Sequence, residues 1–235
     1  MEQQLLEKVK TYDWGQSRVA LSELEEMIRA AHGNAAEVAK FEDGLLGVLN
    51  SDAKQAGKQF ACRQLSIIGT DKSVPTLAKM LTTEDGSDMA RYALERIPGQ
   101  AVDSALLDAL PKATGKAKIG IVNSLGQRRC AKAVAALGEL AGSSDEAVAE
   151  AAVAALGQIA NADAAKILAG VKGKAGGKVL AVALDAYLRC ADRMVGEGKK
   201  AEATAIYKEL QAESMPKPIK TAALRGMLEG MKGRR

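Results

Sequence analysis

A chain of 235 residues with 47% apolar and 26% charged side chains and a net charge of +4 is long enough to bury a continuous core, and it is too apolar for a disordered tail. Its seven aromatics (one Trp, four Tyr, two Phe) against 44 alanines exclude a sandwich or barrel, whose strands need aromatic and β-branched residues, and favour closely stacked helices. No run of about 18 apolar residues is present to span a bilayer, and the first residues lack the basic-then-apolar profile of a signal peptide. The expectation is therefore a cytoplasmic protein, or a piece of a larger one.

Three helical patterns open the chain, around Leu5–Lys10, Ser17–Ala31 and Ala35–Leu49, and residues 1–52 read as an N-terminal cap. Trp14, the single tryptophan, falls in the turn between the first two. It reads either as an exposed anchor for a partner or, preferred here, as a plug on the open end of the core, with Asp13 or Ser17 capping the next helix. His32 follows the second pattern, where a helix dipole favours it; one histidine cannot build a polyhistidine metal centre.

From residue 53 a repeat takes over. Leu65, Leu94, Leu125 and Leu156 step by 29, 31 and 31 residues, and twelve residues after each stands another leucine, Leu77, Leu106, Leu137 and Leu168. Within each unit the apolar spacing is helical, as in Val134, Leu137 and Leu140, so each unit is a pair of short helices. The turns inside the pairs fall at Gly69–Asp71, Pro98–Gly99, Gln127–Arg129 and Ala160–Asp163, with Asp71 or Ser73, and Asp163, as expected caps of the second helices. Four such units occupy residues 53–172.

Residues 173–235 depart from that pattern. Leu180, Leu184 and Leu188 start a helix, Gly196–Leu210 continues the hairpin, Met215–Pro218 is expected to break it, and Ala222–Met231 to form a last helix. The loop Lys172–Lys178 fails the phosphate-loop pattern, because Lys172 stands at its first glycine position and Val179 where Ser or Thr is needed.

Ala152–Ile159 followed by Ala162–Leu168 resembles a HEAT-type repeat, the short variety also found in phycobilin lyase-like proteins. The stretches Cys62–Asp71, Met89–Gly99 and Gly120–Arg129 are similar to HEAT modules of large bacterial multi-domain proteins, and the hairpin with Ala203 and Tyr207 resembles a TPR unit. This resemblance implies an all-α fold, a right-handed α-solenoid of stacked antiparallel helix pairs with helical caps, used as an interaction scaffold.

Candidate binding residues come from the register of the repeat. Two positions before each anchor leucine stand Arg63, Tyr92, Asn123 and Ala154, a column that is either a ligand-facing strip or, preferred here, a set of hydrogen bonds between neighbouring repeats. Beside it Arg91 can pair with Glu95 one turn on. Arg128–Arg129 stand as an exposed pair where other units have isoleucine and a small residue, and they suit an acidic partner segment or a salt bridge to Glu95 or Asp103. Cys62, Cys130 and Cys190 are odd in number and widely spaced, so they read as reduced, packed thiols rather than a disulfide or zinc pattern.

Charge is uneven: residues 1–60 carry −3, residues 61–170 are neutral and residues 171–235 carry +7. A basic C-terminal third raises nucleic-acid binding as an alternative, and some DNA glycosylases are HEAT-like solenoids, but the repeats offer only Phe60 and Tyr92 as stacking rings. A chromophore lyase is suggested by the repeat type alone. No convergent acid, base and nucleophile is found, nor a metal, cofactor or small-molecule site. The reading is a non-catalytic scaffold whose second helices line a surface for a protein partner.

Overall fold

A computed structural model describes residues 2–232, and the two last arginines of the basic C-terminal third, Arg234 and Arg235, lie outside the described residues. In chain order the helices are α1 (Glu2–Thr11), α2 (Val19–Ala30), α3 (Ala35–Leu49), α4 (Gln55–Ile68), α5 (Val74–Met80), α6 (Ser87–Leu94), α7 (Gln100–Ala109), α8 (Gly115–Gln127), α9 (Val134–Leu140), α10 (Glu146–Ile159), α11 (Ala162–Lys172), α12 (Gly177–Gly196), α13 (Lys200–Glu209) and α14 (Lys217–Lys232). No strand occurs among the described residues. The chain condenses into two compact units, one up to Ile121 and the other from Val122 onward.

Local chemistry sets the helix ends. Asn34 Oδ1 accepts from Glu37 N at 3.2 Å at the start of α3, and Asp145 Oδ1 accepts from Ala147 N at 3.0 Å at the start of α10. These contacts satisfy amides that the helix itself cannot. The cap of α11 is Asn161, whose Oδ1 accepts from Ala164 N at 2.8 Å; Asp163 sits too far into the first turn and pairs with Lys166 instead. Thr70, not Asp71 or Ser73, caps the short 3-10 turn that leads into α5. Asp13 does not cap α2; Arg18 holds the N-cap position without a side-chain bond, and Ser17 Oγ, one residue earlier, accepts from the first helical amide, Val19 N, at 3.5 Å. The pair of prolines near the C-terminus starts a helix rather than interrupting one: α14 begins at Lys217 with Pro218 in its first turn, where the missing amide would be unbonded anyway.

The leucine ladders form the core. In the first unit Leu65, Leu77, Leu94 and Leu106 have no exposed surface, and in the second unit neither do Leu125, Leu137, Leu156 and Leu168. Burying each contributes about 1.5–3 kcal/mol. Within the first unit α3 packs on α4 and α4 on α6; within the second α10 packs on α12, and α12 carries α13 and α14.

The glycine after an anchor leucine lets neighbouring first helices approach. A Cβ on Gly126 would lie 2.8 Å from Ala155 Cα, and one on Gly157 would lie 2.6 Å from Ala186 Cβ and 2.8 Å from its Cα. No larger residue fits without moving backbone. The first unit has such an approach too, Gly57 of α4 lying against the Val9 carbonyl of α1, and it adds a buried carboxylate that joins successive helices. Glu42 of α3, 2% exposed, accepts from Thr70 N at 2.8 Å, Thr70 Oγ1 at 2.9 Å and Ser73 Oγ at 2.6 Å, tying α3 to the turn after α4. In the C-terminal hairpin Tyr207, buried, donates to Asp192 Oδ1 at 2.6 Å, and Tyr187 donates to Glu209 Oε2 at 3.2 Å.

Two predictions follow from these contacts. Gly157→Ala gains about 1 kcal/mol of helix propensity but overpacks against Ala186 backbone, so the net effect is a loss of about 1–2 kcal/mol, read by chemical denaturation. Glu42→Ala strands an amide and two hydroxyls and costs about 3 kcal/mol, while Glu42→Gln, which keeps an acceptor oxygen, costs less. Equal melting of Glu42→Ala and the parent protein would show that water replaces the carboxylate.

Candidate functional site

On the first unit a surface rich in aromatic and guanidinium groups runs from the α1–α2 turn to α6. Its first member is Trp14. Asp13 Oδ1 accepts from Trp14 N at 2.9 Å and Gln16 Oε1 accepts from Asp13 N at 2.9 Å, so the turn closes on its own polar groups. The indole is left 58% exposed, which corrects the expectation that it plugs the core. Val9 and Leu21, on α1 and α2, are already buried in that core without it.

Beneath Trp14 a cleft of about 140 Å³ is lined by Tyr12, Phe60, Arg18 and Arg63 among others. A second recess of about 170 Å³ shares Gln59 and Arg63 with the first and continues to Met89 and Tyr92. Because the two share residues, they form one strip. Tyr92 is 42% exposed, and the Arg96 guanidinium stands 3.9 Å from the centre of its ring while donating to Tyr92 O at 2.8 Å. Ile67, one turn beyond Arg63 on α4, is 72% exposed.

The column at Arg63, Tyr92 and Asn123 is thus at the surface: all three are exposed, and the side chains of Arg63 and Asn123 form no hydrogen bond among the described residues. The expected inter-repeat hydrogen bonds are absent there because side chains at this register point away from the stacking contact. Ala154, at the same register, is half-buried. Arg91 has a different place. Its side chain is 16% exposed, pairs with Asp88 and, at 3.8 Å, with Glu95, and donates to Gly120 O at 3.3 Å. Gly120 is bare enough for that guanidinium to lie across it.

In the second unit Arg128 and Arg129 do not form an exposed pair. Arg128 is half-buried and engaged with another group, whereas Arg129 is exposed and takes the left-handed backbone conformation (φ 54°). Ala160, 31 residues on, adopts the same conformation (φ 51°) at the end of the next first helix. Arg129 lines a groove of about 460 Å³ with Gln127, Gln158, Arg189, Asp192 and Arg193. Periodicity could relate Arg129 to Ala160; nothing in it pointed to Arg193.

Among the described residues no group of three or more His, Cys, Asp or Glu is placed to hold a metal ion, and no helix is long and apolar enough to cross a membrane. Cys62 lines the recess near Tyr92 but is 1% exposed, and burial pushes its thiol up to about 12; burial pushes Cys190 up to about 12 as well. All three cysteines are free and buried.

At pH 9 native Cys62 and Cys190 are therefore almost wholly protonated, and alkylation by iodoacetamide should be slow until denaturant is added, when three thiols react. The thiols are neutral in the fold and ionise near pH 9 when unfolded, so their contribution to stability is complete below about pH 9 and fades as pH rises towards 12. Rapid native labelling of either residue at pH 9 would contradict this.

Residues 104–187 match the family model for HEAT repeats. No curated protein matches the sequence. Among solved structures, a designed armadillo repeat protein is 18% identical, with 98% of this chain and 100% of that chain covered and a TM-score of 0.37. Another, solved in complex with the peptide (KR)4, is 16% identical over 97% of this chain and 98% of that one, with a TM-score of 0.32. With paired helices, a leucine at each fixed register and this match in agreement, residues 104–187 are HEAT repeats.

Proposed function

We propose that the protein is a non-catalytic interaction scaffold that holds a partner segment on the surface of its helical repeats. The observation that carries this reading is the strip from Trp14 through Arg63 to Tyr92. Trp, Tyr and Arg are the side chains that dominate binding energy at protein interfaces. A chain with seven aromatics that leaves its one tryptophan and a tyrosine exposed beside a continuous cleft has placed them where a partner can cover them. Arg63, Tyr92 and Asn123 stand on first helices, so the binding surface proposed here is that of the first helices, and not that of the second helices as the repeat type alone led one to expect. Arg91 supports the strip from beneath.

The nucleic-acid alternative gains no support. Five cations of the C-terminal third meet carboxylates among the described residues: Lys172 with Glu209 at 2.8 Å, Arg189 with Asp185 at 2.8 Å, Lys199 with Glu197 at 2.8 Å, Arg193 with Glu197 at 2.9 Å and Arg225 with Glu229 at 3.9 Å. Paired groups release few counterions from a phosphate backbone.

Capture from an extract of the native organism tests the proposal, with the parent protein compared against Trp14→Ala/Tyr92→Ala. A partner retained by the parent and reduced about tenfold or more by the double variant is the expected result, since loss of two interface aromatics amounts to about 2–4 kcal/mol. The lone tryptophan reports the same event, because a bound partner shifts Trp14 emission to shorter wavelength. Identical captured proteins for parent and variant would overturn the proposed surface.

A further inference from the structure

The groove of the second unit has a floor without side chains and walls of polar ones. Gly126, Gly157 and Ala160 form the floor, which the close approach of α8, α10 and α12 makes unavoidable. The walls are Gln127, Gln158 and three arginines, Arg129, Arg189 and Arg193, with Asp192 at one side. The arginines come from two segments 60 residues apart in sequence, the turn after α8 and one face of α12.

Each guanidinium has capacity to spare. Arg193 donates from Nε to Glu197 at 2.9 Å, and its Nη1, shielded from solvent, has no hydrogen-bond partner among the described residues, so a small shift of the side chain is needed to offer it to an occupant. Such a donor destabilises the fold unless something accepts from it. Arg189 meets Asp185 at 2.8 Å, but both are more than half exposed, and an exposed pair one helical turn apart is readily exchanged for a better acceptor. Arg129 has no polar side-chain partner among the described residues, and its turn has no use for a guanidinium, since Ala160 makes the same left-handed turn with a methyl group.

Charge selects the occupant. The lining carries three positive groups and Asp192, itself held by the Tyr207 hydroxyl. Arg189 and Arg193 already meet Asp185 and Glu197, and the C-terminal ends of α8 and α10, which abut the groove, add partial negative charge. Of the three guanidinium groups only that of Arg129 is left without an acidic partner among the described residues, which suits a singly charged carboxylate better than a phosphate dianion. Gln127 and Gln158, one repeat apart, offer donors and acceptors to an extended main chain passing over them.

We propose that this groove is a carboxylate site, seating one glutamate or aspartate side chain of an extended acidic partner segment on Arg129, Arg189 and Arg193. It names the chemistry of the partner and rests on the scaffold reading for its biological setting, but it concerns a different surface from the Trp14 strip and is tested with purified components. Fluorescein-labelled hexaglutamate is titrated into the protein at low salt and followed by anisotropy. Saturable binding that weakens with salt is expected. Arg129→Ala/Arg189→Gln and, separately, Arg193→Lys, which keeps the charge but not the fork, should each weaken it about tenfold. Lys217→Ala/Lys220→Ala, which removes the same charge as the first pair elsewhere in the unit, should change it less than about threefold, as expected for exposed charges at a distance.

The proposal is overturned if the parent shows no saturable binding, or if the lysine pair weakens binding as much as the arginine pair. It is equally overturned if inorganic phosphate displaces the peptide at lower concentration than acetate does, or if a single-stranded oligonucleotide of equal charge binds as tightly. Arg189→Gln alone, at an exposed position, guards against a folding defect: correct melting with weakened binding still upholds the site, and correct melting with unchanged binding sinks it. Trp14→Ala should leave hexaglutamate binding unchanged, so failure of this site and failure of the scaffold reading are told apart.

Discussion

A helix pair of this kind cannot bury its own apolar side, and that constraint organises the molecule. Each pair buries one ladder leucine from its first helix and one from its second, and all eight of these leucines are removed from solvent. Stability depends on neighbours being present on both sides, and the atypical ends, α1 to α3 in one unit and α13 with α14 in the other, supply those neighbours where the repeat stops.

Two different devices set the spacing between pairs. In the second unit it is the absence of side chains: Gly126 and Gly157 bring first helices so close that an added methyl group would meet backbone. The first unit, where Gly57 likewise lies against the Val9 backbone, adds a specific polar tie, with buried Glu42 collecting three donors from the turn after α4. The first device needs only small residues and so tolerates no enlargement; the second needs one carboxylate and so tolerates no loss of it. Both limit how far adjacent repeats can slide.

Close spacing also decides where the large side chains go. Phe41, Phe60, Tyr187 and Tyr207 are buried, while Trp14 and Tyr92 remain outside. The same geometry that leaves no room for rings inside makes recesses between first helices, because glycine and alanine floors are lower than their polar rims. Guanidinium groups can reach across such recesses, and Arg91 over Gly120 shows the arrangement already filled from within the protein.

Much of the fold was legible in the amino-acid order. The two leucine ladders, the helical spacing between them and the turn residues located the helix pairs, since local hydrogen bonding and periodic apolar burial act over a few residues at a time. The exposure of Arg63 and Tyr92 was one of two readings that register allowed. Their fate depended on which side of α4 and α6 faced the next repeat, and spacing alone leaves that open. Trp14 was misjudged for a related reason: whether an indole enters a core depends on whether a vacancy exists there, and Asp13 and Gln16 close the turn over an interior that Val9 and Leu21 already fill. Glu42 gave no sign of its burial, because its donors Thr70 and Ser73 lie about thirty residues away and become neighbours only when α3 packs on α4. Likewise Arg129 is joined to Arg189 and Arg193 only by the packing of α10 against α12. Sequence by itself determined the repeat, the helices and the residues that must be buried, all of which follow from short-range periodicity. Tertiary structure alone decided which polar side chains meet, because that depends on distances between elements that no local pattern encodes.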